Sequence, residues 1–229
     1  GTLSGSDFDP VAALGRYSSL ALFQQSALQF QPEFEMTPAN IGPVSDICRL
    51  LDGLQLGIEL ASAWLSLLTP AEIVTELNRS LDLLADPGLA RPQRQRSLRA
   101  VFDSSWKLLT PAEQSAFLPL TVFRGGFTRD AAEAVSGGSL LLLLGLANKS
   151  WLQRAATDRF LVHEMLRQYG QEQLSADNKA WDDARWQHSV YFAALLAAKE
   201  PELRGTGQRQ ALEIVADEFE NIRAAWWWQ

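Results

Sequence analysis

Three side chains carry most of the chemical content of this 229-residue chain: His163, His188 and Cys48. His163 lies in Phe160-Leu161-Val162-His163-Glu164-Met165-Leu166, where a short strand-like run gives way to a helix. A helix N-terminus attracts anions, so an imidazole there can touch a phosphate or simply cap the helix. His188 falls in mid-helix beside Trp186 and reads as structural. Cys48 sits on the apolar stripe of its own helix, so a buried inert thiol is expected rather than a nucleophile paired with His163. Two histidines and one cysteine supply no Cys/His metal site, and no metal ligands are assigned. No catalytic residue is assigned either. The chain contains no Gly-x-x-x-x-Gly-Lys-Ser/Thr, no Gly-x-Gly-x-x-Gly and no Gly-x-Ser-x-Gly. Gly137-Gly138-Ser139 precedes an apolar run without a following lysine and reads as a turn, and Asp182-Asp183 reads as a solvated helix face.

The elements that must position His163 are almost all helical. Leu20, Leu22, Phe23, Ala27 and Phe30 follow helical spacing over Ser18–Phe30, and Pro32 closes that run. Thr37-Pro38-Ala39-Asn40 predicts a capped start for a helix carrying Ile41, Val44, Ile47, Cys48 and Leu51, with Gly53 as C-cap. Leu56–Leu68 predicts a buried helix. Thr69-Pro70-Ala71-Glu72 and Thr110-Pro111-Ala112-Glu113 are capping boxes with proline at the first helical position. Asp86-Pro87-Gly88 through Pro92 reads as a linker and a domain boundary. Helices near Ser97–Leu108, Pro111–Leu120, Arg129–Val135 and Leu140–Ala147 follow. Ser150–Gln153 and Arg159–Val162 then form a β-hairpin, and His163–Leu174 a helix. Helices closed by one hairpin make a winged-helix pattern. Ala180–Lys199 and Ala211–Trp228 predict two long helices around a Pro201–Gln210 loop. The expected fold is therefore mainly α: a helical lid domain over 1–90, a winged-helix domain over 91–175, and the start of a helical, TPR-like repeat region over 176–229.

Charge is unevenly spread. Residues 1–92 carry net −7, residues 93–170 net +4 and residues 171–229 net −4. The overall −7 argues against non-specific nucleic-acid binding. The basic middle suits either acidic neighbours or a phosphate. If the winged helix read DNA, the recognition helix expected from the sequence is Arg129–Val135, whose single arginine stands beside Asp130 and Glu133. The tryptophan-rich C-terminal helices fill a core or bind a protein partner. No apolar run approaches the roughly 18 residues that span a bilayer, and a lone cysteine suits a reducing, cytoplasmic setting. The chain opens without a methionine and stops at Trp226-Trp227-Trp228-Gln229 within a predicted helix, so an internal piece of a longer protein is expected.

Several strings fit one family in order and spacing. Asp46-Ile47-Cys48-Arg49-Leu50-Leu51-Asp52-Gly53-Leu54-Gln55-Leu56-Gly57-Ile58-Glu59-Leu60-Ala61 resembles the "GLPLA" segment of STAND-type, NB-ARC-like signalling ATPases. Arg96–Ala100 with Ser105–Leu109, and Leu120–Thr128 with Ala131–Val135, are similar to that group's winged-helix segments. Asn148-Lys149-Ser150 and Arg159–Tyr169 resemble its hairpin and "MHD-like" turn. The resemblance implies a lid, a winged helix and the first repeat helices of a bacterial ATPase-type regulator of signalling or transcription, C-terminal to its P-loop core. It implies ADP or ATP, with Mg in the parent protein, as the ligand, and the N-terminal ATPase core as the partner, with no tight binding to the isolated segment and no enzymatic activity of its own. The implied nucleotide contacts are Gly53, Leu54 and Gln55, near adenine, and His163, on the β-phosphate of ADP. Gln55 stands where the family has proline and Gly57 where it has alanine. Glutamine lacks proline's fixed φ and apolar face, so a weakened adenine contact is expected.

Overall fold

The computed structural model describes residues 18–83, 93–155, 158–205 and 207–228. Among these the protein is mainly helical, with twelve α-helices and one three-stranded antiparallel sheet. The chain divides into two compact units: Gly1–Leu108 with Asn148–Ser150, and Leu109–Ala147 with Trp151–Gln229. The expected linker at 86–92 lies outside the described residues.

Among its described residues the regular structure of the first unit is all helical. It contains α1 (Ser18–Phe30), α2 (Ile41–Leu50), α3 (Gln55–Ala63) running into a 3₁₀ turn (Trp64–Ser66), α4 (Pro70–Leu83) and α5 (Gln93–Lys107). α1 buries Leu20, Phe23 and Ala27, and stops where Pro32 could not donate to the helical ladder. α2 begins later than the Thr37-Pro38 signal. The Asn40 side chain accepts from the Thr37 amide at 2.8 Å, and Ile41 N donates to Thr37 O at 3.0 Å, so Thr37–Asn40 is a turn that delivers the chain into the helix. Local Asn-to-backbone bonding outcompetes an early start there. Leu56, Ile58, Leu60, Ala61 and Trp64 bury nearly all of α3 and its extension. Trp64 Nε1 donates to Ser105 Oγ at 2.9 Å, tying this core to α5.

The second unit runs α6 (Pro111–Leu120), β1 (Phe127–Thr128), α7 (Arg129–Ser136), α8 (Leu140–Asn148), β2 (Gln153–Arg154), β3 (Arg159–Leu161), α9 (Glu164–Leu174), α10 (Asn178–Leu203), α11 (Gln208–Asp217) and α12 (Phe219–Trp227). The strand order is β1-β3-β2, with Phe127 opposite Phe160 and Gln153 opposite Leu161. Helix, strand, two helices and a hairpin that pairs back onto the first strand make a winged helix. β1 has no alternating pattern of its own. Phe127 and the cap residue Thr128, directly after Gly125-Gly126, become a strand only because β3 supplies the ladder. Thr110 and Glu113 close both halves of the α6 capping box, with Thr110 N to Glu113 Oε2 at 2.7 Å. The core holds Phe117, packed edge-on to Trp151 at 4.8 Å between ring centres, and a second aromatic group in which Phe123 packs against Phe127 and Phe192.

Two further helix boundaries, both near the C-terminal end, differ from expectation. α10 runs through Pro201 to Leu203, because the missing N–H falls in the last turn and disrupts little of the helix. The predicted Ala211–Trp228 helix is broken at Glu218, which closes α11 and opens α12. The helix directly before the hairpin, the recognition position of a winged helix, is α8. This corrects the expectation of Arg129–Val135.

Candidate functional site at the wing-to-helix corner

β3 leaves the sheet at Leu161, and two residues later His163 is the N-cap of α9. Its extended backbone (φ −59°, ψ 138°) turns the chain, and Nδ1 accepts from the Met165 amide at 3.2 Å. An accepting Nδ1 carries no proton, so the neutral ring that makes this cap has its proton on Nε2. The half-buried ring thus has one nitrogen used by the helix and, among the described residues, one donor left over.

Beside this corner lies a cavity of about 120 Å³, lined by Phe123, Arg124, Gly125, Gly126, Phe127, Val162, Glu164 and Arg167. Both sequence neighbours of His163 line it, although the ring itself does not. Gly126 is required at its rim. φ is +93°, and a Cβ would stand 2.6 Å from Leu161 Cδ2 and 3.0 Å from Phe160 O. Arg167 Nε donates to Glu164 Oε2 at 2.8 Å, and Nη2 to Oε1, while its Nη1 is buried without a partner among the described residues. Two guanidinium groups against one carboxylate leave the lining with net positive charge. A buried donor lacking an acceptor is costly, so an anion or a polar ligand is the chemistry this cavity suits.

Gly53, Leu54 and Gln55 come together in the turn between α2 and α3 of the first unit, whereas His163 belongs to the second. Asp52 and Gly53 take φ of +51° and +66°, and Gly53 N donates to Cys48 O at 2.9 Å, closing α2. Leu54 is the N-cap of α3. The exposed Gln55 side chain donates to Glu59 Oε1 at 2.8 Å, one turn along its own helix. Gly53 borders a shallow groove with Ser19, Ser45, Cys48 and Arg49.

The other candidates are structural. Cys48 is buried, its thiol facing Ser19 O at 3.4 Å, and burial pushes its pKa up to about 11. His188 is fully buried among Phe123, Phe192 and Trp228, with ring centres 4.7–5.0 Å away. Burial pushes its pKa down to about 4. The nearby Asn221 side chain pulls the other way, and the Arg124 charge adds to the lowering. Neither ring nitrogen reaches hydrogen-bond geometry with any described residue. Among the described residues no group of three His, Cys, Asp or Glu side chains could hold a metal, and no single helix is long and apolar enough to cross a membrane. Sequence reasoning missed Arg124 and Arg167. The available signals were the Gly125-Gly126 turn next to one and the Glu164/Arg167 spacing at the other.

No family model matches the chain, and no solved structure matches it. It is 35% identical over 222 residues, 92% of its length, to proteins of Mycobacterium tuberculosis (strain H37Rv) and Mycobacterium bovis, each named "Putative HTH-type transcriptional regulator". A Mycobacterium tuberculosis protein named "Uncharacterized protein" is 35% identical over 117 residues, 51% of the chain and 30% of that protein. The chain spans about a quarter of the length of the regulators it matches. Nearly all of it is therefore similar to one segment of proteins named as transcriptional regulators.

Proposed function

We propose that this chain is the nucleotide-responsive segment of a transcription regulator, in which the wing-to-helix corner reads the phosphates of ADP held by an ATPase core elsewhere in the full-length protein. The observation that carries this is the state of His163: Nδ1 committed to the α9 cap, Nε2–H left as a donor, beside a small cavity with Arg124 and Arg167 in its wall. The family resemblance and the regulator-named relatives support it. Exchange of ADP for ATP would remove the corner contact and release the lid and winged helix, with differential contacts in two states biasing the equilibrium.

Direct DNA reading is the second proposal, and the name of the relatives favours it. The side chains in the recognition position oppose it. α8 reads Leu140-Leu141-Leu142-Leu143-Leu144-Gly145-Leu146-Ala147-Asn148, without one basic residue, and Leu141 is 79% exposed. Such a face offers phosphates no cationic group, and a single amide serves phosphates and base edges alike.

The experiment is retention of ADP by the purified full-length protein, comparing His163→Ala and His163→Asn with the wild type. Asparagine is itself a good N-cap, so it keeps α9 started while removing the ring. Loss of ADP from both variants, with His163→Asn melting close to wild type, supports the proposal. Undiminished ADP in His163→Ala refutes it.

A further inference from the structure

We infer that Arg159, Glu218 and Asn221 form a latch that makes the C-terminal helix α12 open and close together with the wing-to-helix corner. Arg159 opens β3, four residues before His163, and sits in register with Thr128 of β1. Its guanidinium grips the Glu218 carboxylate with both terminal nitrogens, Nη2 reaching Oε2 at 3.1 Å, and Nη2 also donates to Gly126 O at 3.2 Å. The two side chains are only 14% and 6% exposed. The Glu218 carboxylate raises the Arg159 pKa, with Asp217 adding to it from the end of α11 and burial opposing it.

Asn221 completes the arrangement from the first turn of α12. It is fully buried. Its Nδ2 donates to Gly126 O at 2.7 Å and to Glu218 Oε2 at 2.9 Å, and its Oδ1 accepts from Arg124 N at 2.7 Å. Arg124 and Gly126 are rim residues of the cavity at the corner. Every polar group of Asn221 is thus spent on the backbone of that rim or on Glu218.

The other side of α12 is held differently. Among the described residues it has, against α10, one hydroxyl bond, Ser189 Oγ to Ala225 O at 3.3 Å, the ring contact of His188 with Trp228, and the Arg185 guanidinium 5.1 Å over the same Trp228 ring. Apolar and ring contacts tolerate sliding. A bidentate ion pair and a saturated amide fix one register, and a buried charge deprived of its partner is strongly penalised. Motion of the rim must therefore carry α12 with it. Nothing in this inference requires the nucleotide reading, since the test uses the chain without ligand.

Hydrogen exchange followed by mass spectrometry decides it, comparing the chain with Glu218→Gln and Asn221→Ala. Glu218→Gln leaves Arg159 buried with a neutral partner. Exchange over 219–227 should rise by about 100-fold, and exchange over 123–128 and 159–165 should rise with it, while 111–120 stays unchanged. Asn221→Ala spares the ion pair and should give about a tenfold rise in the same segments. Should Glu218→Gln unfold the chain, Asn221→Ala alone decides. Faster exchange in 219–227 with the corner unchanged would overturn the inference and leave a local staple. No change in either region would overturn it as well.

Discussion

His188 gives this protein a specific dependence on acidity. The ring is fully buried, neither nitrogen has a hydrogen-bond partner among the described residues, and burial holds the pKa at about 4 against an ordinary 6.5. The native state therefore keeps the ring neutral, while the unfolded chain binds a proton below pH 6.5. Between the two values the unfolded state holds more protons, so stability rises with pH across this window and is flat above it. At 1.36 kcal/mol per pH unit, the native state loses about 3 kcal/mol from pH 6.5 to pH 4 through this residue alone. Replacing the ring by leucine removes the titration and two unsatisfied nitrogens, at the cost of some ring packing. Urea unfolding of wild type and His188→Leu at pH 7.5, 6, 5 and 4.5 measures it. Carboxylates titrate in both proteins and cancel in the difference. At pH 7.5 the variant should lie within about 1 kcal/mol of wild type, the lost packing set against the unpaired nitrogens. By pH 4.5 it should be ahead by about 2 kcal/mol. Parallel pH profiles for the two proteins would refute the reasoning.

Gly170→Ala places a Cβ 2.5 Å from Thr121 Cγ2 and 2.8 Å from Phe117 Cε1, so the close approach of α9 to α6 is lost. Overpacking should outweigh the gain in helix propensity and lower stability by about 1–2 kcal/mol in urea unfolding. Thr110→Ala opens one capping box at a part-buried site and should cost about 1 kcal/mol, read as a fall in melting temperature. Cys48, with its pKa near 11, should react with a thiol reagent at pH 7.5 no faster than the first unit unfolds, which a native-against-denatured time course will show.

Local chemistry was legible in the sequence where one short string decides the outcome. The two Thr-Pro-Ala-Glu strings start helices at Pro70 and Pro111, and the His163 corner lies between hairpin and helix as its flanking residues indicate. Features decided by distant partners were not legible. β1 exists because β3 pairs with it. The Glu218 break is stabilised by Arg159, 59 residues away, and by Asn221, whose carbonyl partner is 95 residues away. Arg167 reads as half of an exposed i,i+3 pair until the fold folds its other nitrogen inside. At Thr37 a legible signal misled, because the amide side chain at Asn40 made a competing turn. The recognition position was misassigned to Arg129–Val135 although the expected element order already put Leu140–Ala147 directly before the hairpin.

The proposed role of His163 is a statement about one phosphate, so its most direct test varies that phosphate. Calorimetric titration of the nucleotide-free full-length protein with ADP and with AMP, in wild type and in His163→Asn, separates the β-phosphate from the rest of the ligand. The account predicts that the variant loses most of the preference for ADP over AMP, about tenfold for one hydrogen bond to a charged group, while AMP binds both proteins alike. An unchanged preference in His163→Asn would contradict it.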